Sequence, residues 1–158
     1  MRYNIIKVVN MDKEYELLLL SNQVCFPTYA VANKILRRYQ PLLKKIGLTY
    51  TQYVTMMVLW EEKQVNEKLL CETLCLKSNT VAPLLKKLED KGFIKKEKDK
   101  DDERNLVITL TKAGEKLQDK ALCVPEAISK EFHLAPDDAA TLYSTLYKML
   151  DEERAKDK

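Results

Sequence analysis

The sequence predicts a mainly α-helical fold that carries one short β-hairpin in its second half. Three observations lead there. Apolar residues recur at helical spacing, most clearly Val81, Leu84, Leu85 and Leu88 at i, i+3, i+4 and i+7. The period changes to two over Leu106, Ile108 and Leu110. Between the periodic runs stand the Ser, Thr and Asn residues that start helices and the glycines that stop them.

In chain order, residues 1–10 read as an appendage, and residues 11–21 as a helix that is apolar on more than one face. The next helix is expected over Pro27–Lys45. Pro27 suits a first turn, where its missing N–H costs nothing, and Gly47 stops the helix. A longer helix kinked at Pro27 is the other arrangement. Lys34, Arg37, Arg38, Lys44 and Lys45 make this stretch basic, with no acidic residue between them. Thr49 and Gln52 have capping-box spacing, and Leu48 and Tyr53 can form the staple around it. That helix runs to Glu62, with Val54, Met57, Val58 and Trp60 facing inward. Asn66 caps a short helix to about Leu74, and Ser78 caps another that ends at Gly92. Strands are expected over Phe93–Lys98 and Leu106–Leu110, with the charged tip Asp99–Asn105 between them. Thr111 caps a helix to about residue 122, Pro125 interrupts it, and a last helix follows Pro136 to the charged end.

Composition narrows the function. The chain has 158 residues, 46% apolar and 32% charged, an ordinary balance for a folded domain with its own core. Three glycines leave no GxGxxG or Walker loop, and one histidine, His133, excludes HExxH and any zinc site needing two imidazoles. His133 reads as a surface loop residue. The net charge of +3 is too small to announce nucleic acid by itself. No apolar run approaches the roughly 18–20 residues of a membrane span, and no export signal is evident. A cytoplasmic location is therefore expected, where Cys25, Cys71, Cys75 and Cys123 would stay reduced. No cofactor and no metal is expected.

The order of elements carries the functional reading. Two short helices joined by a tight turn and followed by a two-stranded ribbon form a winged helix-turn-helix. With Val81, Leu84, Leu85 and Leu88 turned inward, the second helix presents Ser78, Asn79, Thr80, Ala82, Pro83, Lys86 and Lys87. Small polar groups at a helix N-terminus suit base edges and phosphates, and Lys86 and Lys87 suit the DNA backbone. A solvated amphipathic helix beside a solvated hairpin is the bland alternative.

The sequence resembles the MarR family of bacterial transcriptional regulators, and within it the OhrR-like branch of thiol-based organic peroxide sensors. The resemblance runs from about Leu18 to Glu152. It rests on Asp102-Glu103-Arg104 at the hairpin tip and on Leu48–Tyr53 with Leu59-Trp60-Glu61. Ser78–Leu85 and Leu110–Gly114 also carry it. It implies a winged helix-turn-helix with N- and C-terminal dimerisation helices. It also implies that Arg104 enters the minor groove, where narrow-groove potential rewards a guanidinium, while Asp102 holds it.

The branch assignment depends on Cys25, followed by Tyr29 and Tyr39. The resemblance implies that Cys25 is the redox sensor and that the two tyrosines hydrogen-bond it across a dimer. A thiolate attacking a hydroperoxide yields a sulfenic acid, which condenses with a second thiol. Cys123 is a possible resolving thiol, and a low-molecular-weight thiol is the alternative. Taken alone, Cys25 could also be a small buried residue, and core packing is expected of Cys71 and Cys75.

Apolar residues at 15–20 and 121–128, with Leu142, Tyr143, Leu146, Tyr147 and Leu150, exceed what one winged unit can cover. A homodimer follows, with a pseudo-palindromic operator in double-stranded DNA. The expected division is 1–45 for N-terminal dimerisation helices with the sensor, 46–110 for the DNA-binding region and 111–158 for C-terminal dimerisation helices, all one intertwined domain. The leading function is a repressor released from DNA when hydroperoxide or a related oxidant modifies Cys25. A repressor released by a small aromatic or anionic ligand is the neighbouring alternative, and a thiol peroxidase or a bare interaction module is more distant.

Overall fold

The computed structural model describes residues 15–98, 106–131 and 134–156. Asp102, Arg104 and His133 lie outside the described residues. The chain divides into two compact units, Met1–Arg38 and Tyr39–Lys158. Helix α1, Cys25–Lys45, belongs to the first unit up to Arg38 and to the second from Tyr39.

In the first unit the described part of the expected helix over 11–21 is two 3-10 turns, Tyr15–Leu18 and Leu20–Asn22. The side chains of Asn22 and Gln23 explain the change. Asn22 donates to the Glu16 carbonyl at 2.8 Å and Gln23 to that of Leu17, which competes with a helical ladder. Helix α1 then starts two residues earlier than Pro27. The Thr28 N–H makes the bond to the Val24 carbonyl, so Pro27 occupies a first-turn position that has no intrahelical bond to lose. Pro41 stands inside the same helix, where a proline removes one i→i−4 bond.

In the second unit, α2 (Tyr50–Glu62) opens with the expected capping box. Thr49 N–H donates to Gln52 Oε1 at 3.1 Å, Gln52 N–H donates to Thr49 Oγ1 at 3.4 Å, and Leu48 and Tyr53 are both buried. Its inward stripe is Tyr53, Met56, Leu59 and Trp60, whereas Met57, expected inside, is exposed. A three-residue strand β1 (Gln64–Asn66) follows, then α3 (Glu67–Leu74), α4 (Ser78–Asp90), β2 (Ile94–Lys98) and β3 (Leu106–Leu110). The antiparallel sheet has the order β1-β3-β2, with Val65 opposite Ile108 and Ile94 opposite Leu110. Strand β1 escapes sequence reading because three residues cannot display a period.

Helix α5 (Lys112–Ala121) is capped by Thr111, whose Oγ1 accepts from Gly114 N–H at 3.1 Å. Gly114 is the tightest of the three glycines: a Cβ there would lie 2.0 Å from the Phe93 carbonyl oxygen. Trp60 Nε1 donates to the Gly114 carbonyl at 2.9 Å, which ties α2 to α5 inside the core. After the break at Leu122 a separate helix α6 (Cys123–Ser129) follows, which holds Pro125 in its first turn. Helix α7 (Pro136–Lys156) has no buried residue. Among the described residues, no helix is long and apolar enough to cross a membrane.

Candidate nucleic-acid interface and thiol sites

Helices α3 and α4 are set by their ends. Asn66 Oδ1 accepts from Leu69 N–H at 2.7 Å and starts α3. Cys75 closes it in the left-handed conformation with φ 52°, and Leu76 N–H returns to the Cys71 carbonyl at 3.0 Å. The residue before α4 is Lys77, which makes no side-chain cap bond, so Ser78 is the first helical residue and not the cap. The Ser78 hydroxyl is used elsewhere: it donates to Glu67 Oε1 at 2.5 Å, across the turn between the two helices.

Helix α4 splits cleanly between two faces. Val81, Leu84, Leu85 and Leu88 are buried, while Ser78, Asn79, Thr80, Ala82, Pro83, Lys86 and Lys87 are exposed. Its first N–H groups lack a side-chain acceptor, which leaves a favourable end for an anion. Lys95 and Lys98 add charge on β2, and Lys96 pairs with Glu89 at 2.9 Å. A helix of this kind followed by a ribbon fits a major groove with the ribbon alongside.

The thiols occupy different settings, and none is in a disulfide. Cys25 is exposed at the start of α1, and Tyr29, exposed by 69%, stands one turn further on the same helix. Tyr39 belongs to the second unit, where its ring packs edge-on against Tyr50 at 5.1 Å and tilted against Tyr53 at 6.1 Å. Burial, with Tyr50 adding, pushes the Tyr39 phenol above its ordinary range, so it remains a proton donor at neutral pH. Cys123 is exposed and its thiol donates to the Lys120 carbonyl at 3.4 Å. It also acts electrostatically on Tyr53.

Cys71 is half-buried against the core. Cys75, expected in the core, is exposed, because the left-handed end of α3 turns it away from the helix's buried face. Among the described residues, no three His, Cys, Asp or Glu side chains group closely enough to hold a metal ion. Sequence reading missed Glu67 and Arg154. Both act over long range, 11 residues from Glu67 to Ser78 and 81 from Arg154 to the Thr73 carbonyl, and no local pattern marks such pairs.

Residues 37–121 match the family of transcriptional regulators described as SarA/Rot. The chain is 36% identical over 141 residues to an organic hydroperoxide resistance transcriptional regulator of Bacillus subtilis (strain 168), covering 89% of this chain and 96% of that one. Among solved structures it is similar to overoxidized AbfR bound to DNA, with TM-score 0.72, 37% identity, and 88% and 98% of the two chains covered. Disulfide-formed AbfR aligns with TM-score 0.59 and 34% identity, over 92% and 97% of the two chains. AbfR is a protein of Staphylococcus epidermidis.

Proposed function

The chain belongs to the OhrR-like branch of the MarR family of transcriptional regulators, and from that premise we propose that it is a homodimeric repressor that leaves its operator when Cys25 is oxidised by an organic hydroperoxide or a related oxidant. The relatives of 36–37% identity support DNA-binding, redox-sensing regulation, and they are regulators and not enzymes. The observation that carries the proposal is the two-faced α4 behind the tied turn. Its buried stripe fixes the helix, while Asn79, Thr80, Lys86 and Lys87 are left for DNA. At the wing, Arg104 reads the minor groove and Asp102 orients it, roles assigned by resemblance.

Two heads require two chains. Phe26 and Tyr29 on α1, and Leu142, Tyr143, Leu146 and Tyr147 on α7, are large and exposed. A second copy covers them in a C2 dimer, and the operator is then pseudo-palindromic with half-sites about one helical turn apart. Tyr29 and Tyr39 orient the sensor thiol across that dimer.

In the reaction, the Cys25 thiolate attacks the hydroperoxide, the O–O bond breaks, and an alcohol leaves as the sulfur becomes a sulfenic acid. Condensation with a second thiol then forms an S–S bond and expels water. Cys123 of the partner subunit is the protein thiol we assign to that step. A disulfide-formed state of the relative AbfR supports a disulfide as the product of this step. A low-molecular-weight thiol substitutes where Cys123 does not reach.

The test is a gel shift on promoter DNA, reduced and after cumene hydroperoxide. Wild type is expected to release DNA on oxidation, and Cys25→Ser to bind DNA and ignore the peroxide. Release of both proteins by peroxide would remove Cys25 as sensor. In the same assay Arg104→Ala is expected to weaken binding by about 1–3 kcal/mol. Unchanged affinity would take Arg104 off the reading surface.

A further inference from the structure

We propose that Lys91 is a positioning residue for operator recognition: without touching DNA, it locks the C-terminal end of α4 to the corner between α1 and α2. Lys91 is the residue that caps the end of α4. Its Nζ donates to the Gly47 carbonyl at 2.6 Å and to Gln52 Oε1 at 2.8 Å, across 44 and 39 residues of sequence. Gln52 is buried, and the same Oε1 accepts from Thr49 N–H in the capping box of α2. The lysine therefore fills the second lone pair of a buried carbonyl oxygen. Lys91, Gly47 and Gln52 all belong to the second compact unit.

One lysine thus reaches the ends of two helices and the start of a third. Gly47 closes α1 at φ 73°, with Leu48 N–H returning to the Leu43 carbonyl at 3.0 Å. Gly92 closes α4 at φ 72°, with Phe93 N–H returning to the Leu88 carbonyl at 3.1 Å. Carbonyls at such ends carry partial negative charge, which favours an ammonium beside them.

The buried stripe alone does not fix where α4 points. Apolar contacts are non-directional, so Val81, Leu84, Leu85 and Leu88 choose the inward face more firmly than the tilt of the helix. Directional bonds settle the tilt. Ser78 ties the N-terminal end to α3 through Glu67, Glu89 ties the last turn to β2 through Lys96, and Lys91 ties the C-terminal end to the α1–α2 corner. Of the three, the Lys91 tie alone ends on a buried acceptor, where water competes least. Lys91 stands about 20 Å along the axis from Ser78, at 1.5 Å per residue, and its ammonium is committed to two protein oxygens. Its loss degrades the fit of Asn79 and Thr80 to base edges and leaves the attraction of Lys86 and Lys87 for phosphates intact. The inference rests on α4 being the operator-reading helix, as proposed above.

The experiment uses reduced full-length protein and fluorescence anisotropy with two duplexes of equal length. One is selected from a randomised pool by the wild-type protein, and the other is its scrambled sequence. Lys91→Met keeps the stem of the side chain and removes the ammonium. It is expected to bind the selected duplex about tenfold more weakly, the scale of one charge-assisted hydrogen bond, and the scrambled duplex as wild type does. The slope of affinity against salt should stay that of wild type, since no phosphate contact is lost. Lys86→Met is the contrast: weaker on both duplexes, with the slope smaller by about 1. Lys91→Arg should restore most of the lost affinity, because a guanidinium also donates to both acceptors. Circular dichroism establishes folding, and Lys91→Gln repeats the measurement if Lys91→Met does not fold. A full preference for the selected duplex in the neutral variant, even with a lowered melting temperature, would leave Lys91 a stabilising role only and overturn the proposal. Weakening on both duplexes with a smaller slope would make Lys91 a phosphate contact and overturn it too, as would no recovery in Lys91→Arg. A wild-type protein that does not distinguish the duplexes would overturn the operator reading itself, an outcome seen before any variant is made.

Discussion

Helices α4 and α7 are both amphipathic segments of one chain, yet they end in opposite states. In α4 the apolar stripe is satisfied internally, with Val81 at 0%, Leu85 at 1% and Leu88 at 0% exposure. In α7, Leu142 is 46%, Tyr143 63% and Leu146 41% exposed, and no residue of the helix is buried. The difference teaches where stability comes from. The helix-turn-helix and its sheet are folded by their own sequence, whereas α7 presents apolar surface that only association can remove from water.

The largest expected effect attacks the self-sufficient half. Gly114→Ala places a methyl group against the Phe93 backbone at the point where Trp60 ties α2 to α5. It should cost about 4 kcal/mol, an exceptional loss for one methyl group. Thermal unfolding would show it at every protein concentration. A loss below about 1 kcal/mol would mean that Phe93 moves freely and that this core is less rigid than its packing.

Next comes the unsatisfied half. Leu146→Asp adds a charge to the exposed face of α7 and should shift dimer toward monomer by about 2–3 kcal/mol of association energy. Far-UV circular dichroism should change little. Sedimentation across a concentration series measures the shift, and an unaltered dimer would move the interface away from Leu146. The smallest effect is expected at Asn66→Ala, where the cap of α3 is lost for about 1 kcal/mol in denaturant unfolding. It leaves the dimer unaltered, which separates the two regions again.

Much of the reading half was legible because its determinants are local. The capping box at Thr49 and Gln52, the cap at Asn66 and the stripe Val81–Leu88 each lie within one or two helical turns. Where a local signal competed with a tertiary one, sequence reading failed. Ser78 looks like a helix cap, but Glu67 takes its hydroxyl and Lys77 takes the cap position. Cys75 looks like a core residue at helical spacing from Cys71, but the left-handed corner exposes it. The segment before α1 has helical composition, but the amides of Asn22 and Gln23 fold it into 3-10 turns. Of the candidate site, the α4 surface was readable residue by residue. The setting of the thiols was not, since Tyr39 packs against Tyr50 and Tyr53, and Arg154 against Thr73.

Trp60 is the only tryptophan in the chain, and its indole is buried, bonded to the Gly114 carbonyl and 6.3 Å from the Tyr53 ring. Its emission is therefore a single-site optical signal from the seam between α2 and α5. Excitation of Tyr53 feeds the same fluorophore at that distance. A shift in the emission spectrum on oxidation would show that the seam has loosened, and a constant spectrum would show the reading head moving as a rigid block. The protein carries its own label for telling those two motions apart.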